Sequence, residues 1–238
     1  CSTGLIGIPL PIETIVAGVP ALVAARNPDG GTDAAEAIRT TDTHRKETVV
    51  AVGDSAAVVG GMAKGAAMLA PNMATMLAVL TTDAAAEPGQ LRQILRDAVS
   101  TSFNRLMTDA CRSTNDTVIL LASGAAGPVD GGDLAAAVAS ACADLAGQMA
   151  GDAEGATKVV RLSVTGAASD ADAEAGARQI ARSALCKCSW FGQDPYWGRL
   201  AAEAGAAGVA FDQEKVSVTY GGVQVAAGGV TVAHDEVA

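Results

Sequence analysis

The chain has 238 residues, 50% of them hydrophobic but only 3% aromatic, and a formal net charge of −10. That length suits one large domain or two small ones, with a core built from Ala, Val, Leu and Ile. The acidic balance argues against nucleic acid or an anionic membrane as partner, since both need a basic patch, and makes any anionic substrate dependent on local lysines and arginines.

In chain order, Cys1-Ser2-Thr3-Gly4-Leu5-Ile6-Gly7 reads as a strand end turning into a glycine loop. Pro9 and Pro11 bracket a turn before a helical pattern through Ile15, Val19 and Leu22. Asn27-Pro28-Asp29-Gly30-Gly31 is a loop, and Thr32 or Asp33 caps a short helix through Ile38. Residues 48–59 give two short strands around Gly53-Asp54. Leu91, Ile94, Leu95, Ala98, Val99 and Leu106 repeat at helical spacing, with Pro88 near the start. Residues 117–121 form a buried strand, and Asp133 caps a helix with the apolar face Leu134, Val138, Cys142, Leu145 and Met149. Residues 159–164 alternate as a strand and 170–185 are helical. Gly221-Gly222 between Val216-Ser217-Val218-Thr219-Tyr220 and Val223-Gln224-Val225 signals a hairpin. Irregular alternation of helices and strands points to α/β layers rather than a repeat.

Five cysteines, Cys1, Cys111, Cys142, Cys186 and Cys188, fit free thiols in a reducing cytosol better than a disulfide set. Cys186-Lys187-Cys188 is too tight for a zinc knuckle, so no metal is expected. No stretch reads as a membrane span or a signal peptide: the apolar region 49–69 is broken by Asp54, Lys64 and glycines. With His44 and His234 as the only histidines, a Ser-His-Asp triad has few candidates. That scarcity favours a nucleophile that carries its own base.

Ala70-Pro71-Asn72-Met73-Ala74-Thr75-Met76-Leu77 supplies such a nucleophile, behind the approach Gly60-Gly61-Met62-Ala63-Lys64-Gly65. A buried threonine can attack the carbonyl of its own preceding residue, and Ala74 has no side chain to block it. The ester then hydrolyses, and Thr75 becomes an N-terminus whose α-amine, with a pKa near ~8, serves as base for its own hydroxyl. The competing reading is a loop threonine after a Pro-Asn turn.

Residues 64–77 resemble the processing segment of the ornithine acetyltransferases, the bifunctional glutamate N-acetyltransferase family of arginine biosynthesis. Five further words agree: Ser2-Thr3-Gly4, Thr40-Thr41-Asp42-Thr43, Asp152-Ala153-Glu154-Gly155-Ala156-Thr157-Lys158, Ser113-Thr114-Asn115-Asp116-Thr117 and, with departures, Phe191-Gly192-Gln193-Asp194-Pro195-Tyr196-Trp197-Gly198-Arg199. The resemblance implies a layered α/β fold like that of the N-terminal-nucleophile enzymes, cut between Ala74 and Thr75. Residues 1–74 would then be the end of an α-chain, and 75–238 a β-chain starting at its nucleophile. It assigns Thr75, Thr3 and Gly4 to catalysis, the last two as oxyanion donors, the kind of contact worth ~3 kcal/mol in a transition state. Thr40, Thr41, Lys64, Thr75 and Glu154 would bind substrate, with Lys64 on its α-carboxylate and Glu154 on its ammonium.

The implied activity is ping-pong acetyl transfer from N2-acetyl-ornithine to glutamate through an acetyl-threonine, in the cytoplasm. No cofactor is expected, and acetyl-CoA stays open as a second donor. The implied partners are these small molecules, the two fragments for each other, and further copies in a homo-oligomer. Departures from the family words (Arg45, Cys111, Arg112, Cys186, Cys188 and Tyr196) bear on substrate identity rather than on reaction type. The family also carries segments before the Ser-Thr-Gly loop and at the C-terminus that these residues do not include, so this is a fragment or its pocket closes differently. An aminopeptidase or amidase with water as acceptor, and an inactive fragment, are the rival readings. Cys1 as an N-terminal nucleophile is a weaker third, because it stands just before the oxyanion loop.

Overall fold

The computed structural model describes residues 4–70, 76–113 and 115–234. The chain forms two compact units, Cys1–Ala156 and Thr157–Ala238.

Among the described residues, the first unit is built on a four-stranded mixed sheet: β1 (Lys46–Ala51), β2 (Val58–Lys64), β3 (Leu77–Ala85) and β4 (Thr117–Pro128), in that spatial order. β1 and β2 form the antiparallel pair expected around Gly53-Asp54, although β2 runs on to Lys64. β2 is antiparallel to β3, and β3 is parallel to β4. A parallel pair needs a crossover. Helix α3 (Pro88–Thr101) supplies it, with the helix-favouring proline in its first turn and Ile94 and Ala98 buried. Leu106, read as part of this helix, lies beyond it and a following short 3-10 turn at Phe103–Arg105.

Helix α4 (Gly131–Gly151) covers the sheet. The five apolar residues expected along one face, Leu134, Val138, Cys142, Leu145 and Met149, are all fully buried against Val59, Ala63, Ala78 and Leu80. By length and composition alone α4 could cross a membrane; its buried face marks it as the core helix of this layer. Its cap is not the expected Asp133. Asp130 accepts from the N–H of Gly132 at 2.8 Å and of Asp133 at 3.0 Å, because Gly131 and Gly132 form the first turn and move the start upstream. The expectation of a buried strand over 117–121 is corrected too. β4 is an edge strand running to Pro128, and strand alternation turns Leu121, 54% exposed, away from the core that Leu120 joins.

Helices α1 (Ile12–Ala24) and α2 (Gly31–Ala37) fall where helices are expected, but α2 starts at Gly31 with Gly30 as its N-cap and no side-chain capping bond, so neither Thr32 nor Asp33 caps it. α1 is apolar, yet none of its residues is buried.

The second unit contains α5 (Asp170–Arg182), α6 (Ala184–Phe191), α7 (Gly198–Gly205) and an antiparallel sheet of β5 (Val218–Tyr220), β6 (Val223–Ala227) and β7 (Val230–Thr231). The hairpin is as read: Tyr220 pairs with Val223, and Gly221 and Gly222 take φ of 55° and 92°. The single helix over 170–185 is instead two. Ser183 ends α5 and starts α6 by accepting from the N–H of Cys186. Residues 159–164 are not a strand, and Val159 and Val160 are exposed. Alternation alone makes no ladder without a neighbouring strand to accept its hydrogen bonds. A small core of Ile180, Cys186 and Leu200 closes the unit.

Candidate active site

Three segments that are distant in sequence meet at one end of the first sheet: 40–46 before β1, 64–66 after β2, and 152–154 after α4. A fully buried lysine joins them. Lys46 Nζ donates to Asp42 Oδ1 at 2.7 Å and to Asp152 Oδ2 at 2.6 Å. Asp42 Oδ1 also accepts the N–H of Gly65 at 2.6 Å, and Asp42 Oδ2 that of Thr40 at 3.3 Å. Asp152 accepts the Thr43 N–H at 2.9 Å and the Thr43 hydroxyl. The N–H of Glu154 donates to the carbonyl of Ala66 at 2.8 Å. Burying two carboxylates is costly unless their oxygens are satisfied; here the lysine, one hydroxyl and three backbone N–H groups satisfy them.

Burial pushes the Asp152 carboxyl up, but the bonds from Lys46 and Thr43 outweigh it and hold its pKa at about 2. Asp42 is likewise held below the usual carboxylate range: burial raises it, and the bonds from Gly65, Lys46 and Thr40 more than offset that.

Lys64, the last residue of β2, is 3% exposed. Burial lowers its pKa; Asp42 pushes it back up, Lys46 pushes it down, and Glu154 pushes it up. Among the described residues no hydrogen bond or ion pair engages its ammonium. Glu154 is exposed at the same place, and so are Thr40 and Thr41. The residues expected to bind substrate, Thr40, Thr41, Lys64 and Glu154, thus lie on the segments that meet at Asp42. Gly4 is exposed ahead of α1. Thr3, Ala74 and Thr75 lie outside the described residues.

Both shoulders of the Ala74-Thr75 segment are tied to the same stretch of chain. Met68 N–H donates to Asp109 Oδ2 at 2.6 Å, and Leu69 exchanges bonds with Thr108: its N–H reaches the Thr108 hydroxyl at 3.1 Å and its carbonyl accepts the Thr108 N–H at 2.8 Å. On the far side Met76 N–H donates to Asp116 Oδ1 at 3.0 Å, and the Met76 carbonyl accepts the Thr117 N–H at 3.1 Å. Burial raises the Asp116 pKa against that Met76 bond. A cavity of about 280 Å³ lies beside α3, lined by Leu69, Met76, Leu95, Val99, Phe103 and Asp116.

The residues that sequence reasoning missed are Lys46 and Asp152. Asp152 opens the word read for Glu154, and Lys46 follows Asp42 by four positions outside any helix, so no periodicity announced their pairing. In the second unit, Phe191–Arg199 folds locally: Asp194 pairs with Arg199 at 3.2 Å, and Trp197 donates to Thr231 at 2.9 Å.

A mixed sheet covered by helices, with a nearly fully buried lysine at the end of β2, defines a layered α/β protein. The ArgJ family model matches residues 1–238, and the chain belongs to that family. It is 50% identical over 230 residues to the arginine biosynthesis bifunctional protein ArgJ of Thermobifida fusca, covering 96% of this chain and 60% of that protein. It is 53% identical over 233 residues to the protein of that name from Mycobacterium leprae, covering 97% and 57%. The chain therefore spans about 60% of the length of these relatives. The crystal structure of the ArgJ protein from Bacillus halodurans superposes with a TM-score of 0.63 at 36% identity, over 66% of this chain and 76% of that one.

Proposed function

We propose that this chain carries the acyl-transfer site of an N2-acetyl-ornithine:glutamate acetyltransferase that cuts itself between Ala74 and Thr75. The observation that carries the reading is Lys64. A lysine 3% exposed, whose ammonium has no hydrogen-bond or ion-pair partner among the described residues, is costly to keep charged, and a substrate α-carboxylate is the anion that would relieve it. Glu154 stands at the same place for the substrate ammonium. The names of the relatives, arginine biosynthesis bifunctional protein, support the same reaction class.

In this mechanism the Thr75 hydroxyl adds to the acetyl carbonyl while its proton passes to the Thr75 α-amine. The tetrahedral oxyanion is met by Thr3 and Gly4. Collapse breaks the amide C–N bond, ornithine leaves with the proton, and acetyl-threonine remains. Glutamate then enters, its amine attacks the ester, and N-acetylglutamate departs with the threonine hydroxyl restored. No cofactor is required, with acetyl-CoA an alternative donor, and a biosynthetic enzyme of this kind belongs in the cytoplasm.

N-terminal sequencing of the purified protein should find a new terminus reading Thr75-Met76-Leu77, and Thr75→Ala should stay uncut and inactive. Transfer of labelled acetyl from acetyl-ornithine to glutamate is the companion assay. Release of free acetate without transfer would make the protein an amidase, and an active protein still intact at Ala74-Thr75 would rule the mechanism out.

A further inference from the structure

Lys46, Asp42 and Asp152 lie under the substrate groups rather than among them. Lys46 is fully buried and both of its carboxylate partners are nearly so. Each partner also accepts from backbone. Asp42 takes the N–H of Gly65 at the point where β2 leaves the sheet, with Gly65 at φ 150°. Asp152 takes the N–H of Thr43. Lys46 thus ties the chain at residues 40–43, which carries Thr40 and Thr41, to the turn after Lys64 and to the approach to Glu154. The Glu154 N–H to Ala66 carbonyl bond closes the same circuit.

We infer that Lys46, Asp42 and Asp152 are positioning residues of the acyl-transfer site, a buried ionic joint that sets the separation of the Lys64 ammonium and the Glu154 carboxylate to that between the α-carboxylate and the side-chain ammonium of acetyl-ornithine. The inference rests on the clamp proposed above and goes beyond it, since none of the three residues touches substrate. Two charges held at a fixed spacing recognise a substrate of matching charge spacing only while that spacing is kept, and small displacements of a binding group cost disproportionately in rate and affinity. The joint is ionic, and the Asp152 carboxylate is fixed by geometry as well as by charge: Thr43 grips it from backbone and hydroxyl while Lys46 grips it from the other side.

The test separates geometry from stability and uses the full chain with steady-state transfer kinetics, thermal unfolding and circular dichroism. Asp152→Asn keeps an oxygen for Lys46 and the Thr43 N–H and loses the charge; Asp152→Ala loses both. Both should unfold at lower temperature. Well below unfolding, Asp152→Ala should raise the KM for acetyl-ornithine by roughly tenfold or more with a smaller change in kcat, while Asp152→Asn stays within about threefold of the parent. Lys46→Met should behave like Asp152→Ala. Combined with Lys64→Met it should add little to the Lys64→Met loss, because it acts through that residue.

A KM that follows unfolding temperature equally in Asp152→Asn and Asp152→Ala, or fully additive Lys46 and Lys64 effects, would overturn the positioning role. If Lys46→Met does not fold, the Asp152 pair decides alone. Unchanged kinetics in Lys64→Met and Glu154→Gln would instead sink the clamp itself, so the two failures look different.

Discussion

Lys64 is a nearly fully buried cation, and the proposed clamp would keep it for a ligand. Its side chain is nearly fully buried, and that burial is the main cause lowering its pKa. The folded state therefore holds the proton less tightly than the unfolded chain, and stability is lost wherever the group must be charged. Replacing it by an apolar side chain of similar length removes the penalty. Lys64→Met should stabilise the fold by about 1 kcal/mol in urea unfolding at neutral pH, while raising the KM for acetyl-ornithine roughly ten- to a hundredfold. A structural lysine would give the opposite sign for stability. The thiols make a second residue-scale prediction. Cys142 is buried on α4 and its pKa is pushed up to about 12, and Cys186 is also buried and raised, whereas Cys111 and Cys188 are exposed. A thiolate reagent should label Cys111 and Cys188 in the native protein and reach Cys142 and Cys186 only after unfolding, as peptide mapping would show.

At the scale of elements, the close seating of α4 on the sheet depends on the absence of a side chain at Gly61. A Cβ there would stand 3.1 Å from Leu145 Cδ1 and 3.4 Å from both Leu80 Cγ and Thr48 Cγ2. Leu145 and Leu80 are fully buried and cannot withdraw freely. Gly61→Ala should destabilise by roughly 1–3 kcal/mol, the usual cost of overpacking, read as a lower urea midpoint with an unchanged slope. Because β2 ends three residues later at Lys64, part of that shift should also appear as a higher KM. The start of α4 is separately testable: Asp130→Ala should cost about 1 kcal/mol, and Asp133→Ala less, because Asp130 alone makes the capping bonds.

Over the whole molecule, the proposed cut falls in a connection between two paired strands. Lys64 on β2 and Leu77 on β3 are register partners, so the hydrogen bonds of the sheet run on either side of residues 65–76. Fragments ending at Ala74 and starting at Thr75 should therefore travel together in native size-exclusion chromatography and separate only in denaturant. Stability should also carry the mark of the ionic joint. Asp152 has a folded pKa of about 2 against an ordinary 3.8, so its contribution, roughly 2 kcal/mol, is complete above about pH 4 and is lost as pH falls through that window. Asp42, lowered in the same direction, adds to it. Acid unfolding of Asp152→Asn should show a shallower loss between pH 4 and pH 2, measured against the parent by denaturant titration at each pH.

What the residues declared by themselves were the features carried by local chemistry. Period-3.6 apolar residues named the buried face of α4, Pro11 and Pro88 marked helix starts, and Gly221-Gly222 marked a hairpin, because each depends on neighbours within one or two turns of chain. The Ala74-Thr75 segment and the words holding Thr40, Thr41, Lys64 and Glu154 stand out as short strings, and the roles proposed for them come from the resemblance of those strings to the family's words. Tertiary structure decided the rest. Residues 159–164 alternate like a strand and found no partner; Leu121 belongs to an apolar run and faces away from the core; Ser183 turned one helical pattern into two. Above all, Lys46 finds Asp152 across 106 positions of sequence. A buried ion pair leaves no period in a sequence, since what selects it is the desolvation of charges that only the packed chain brings together.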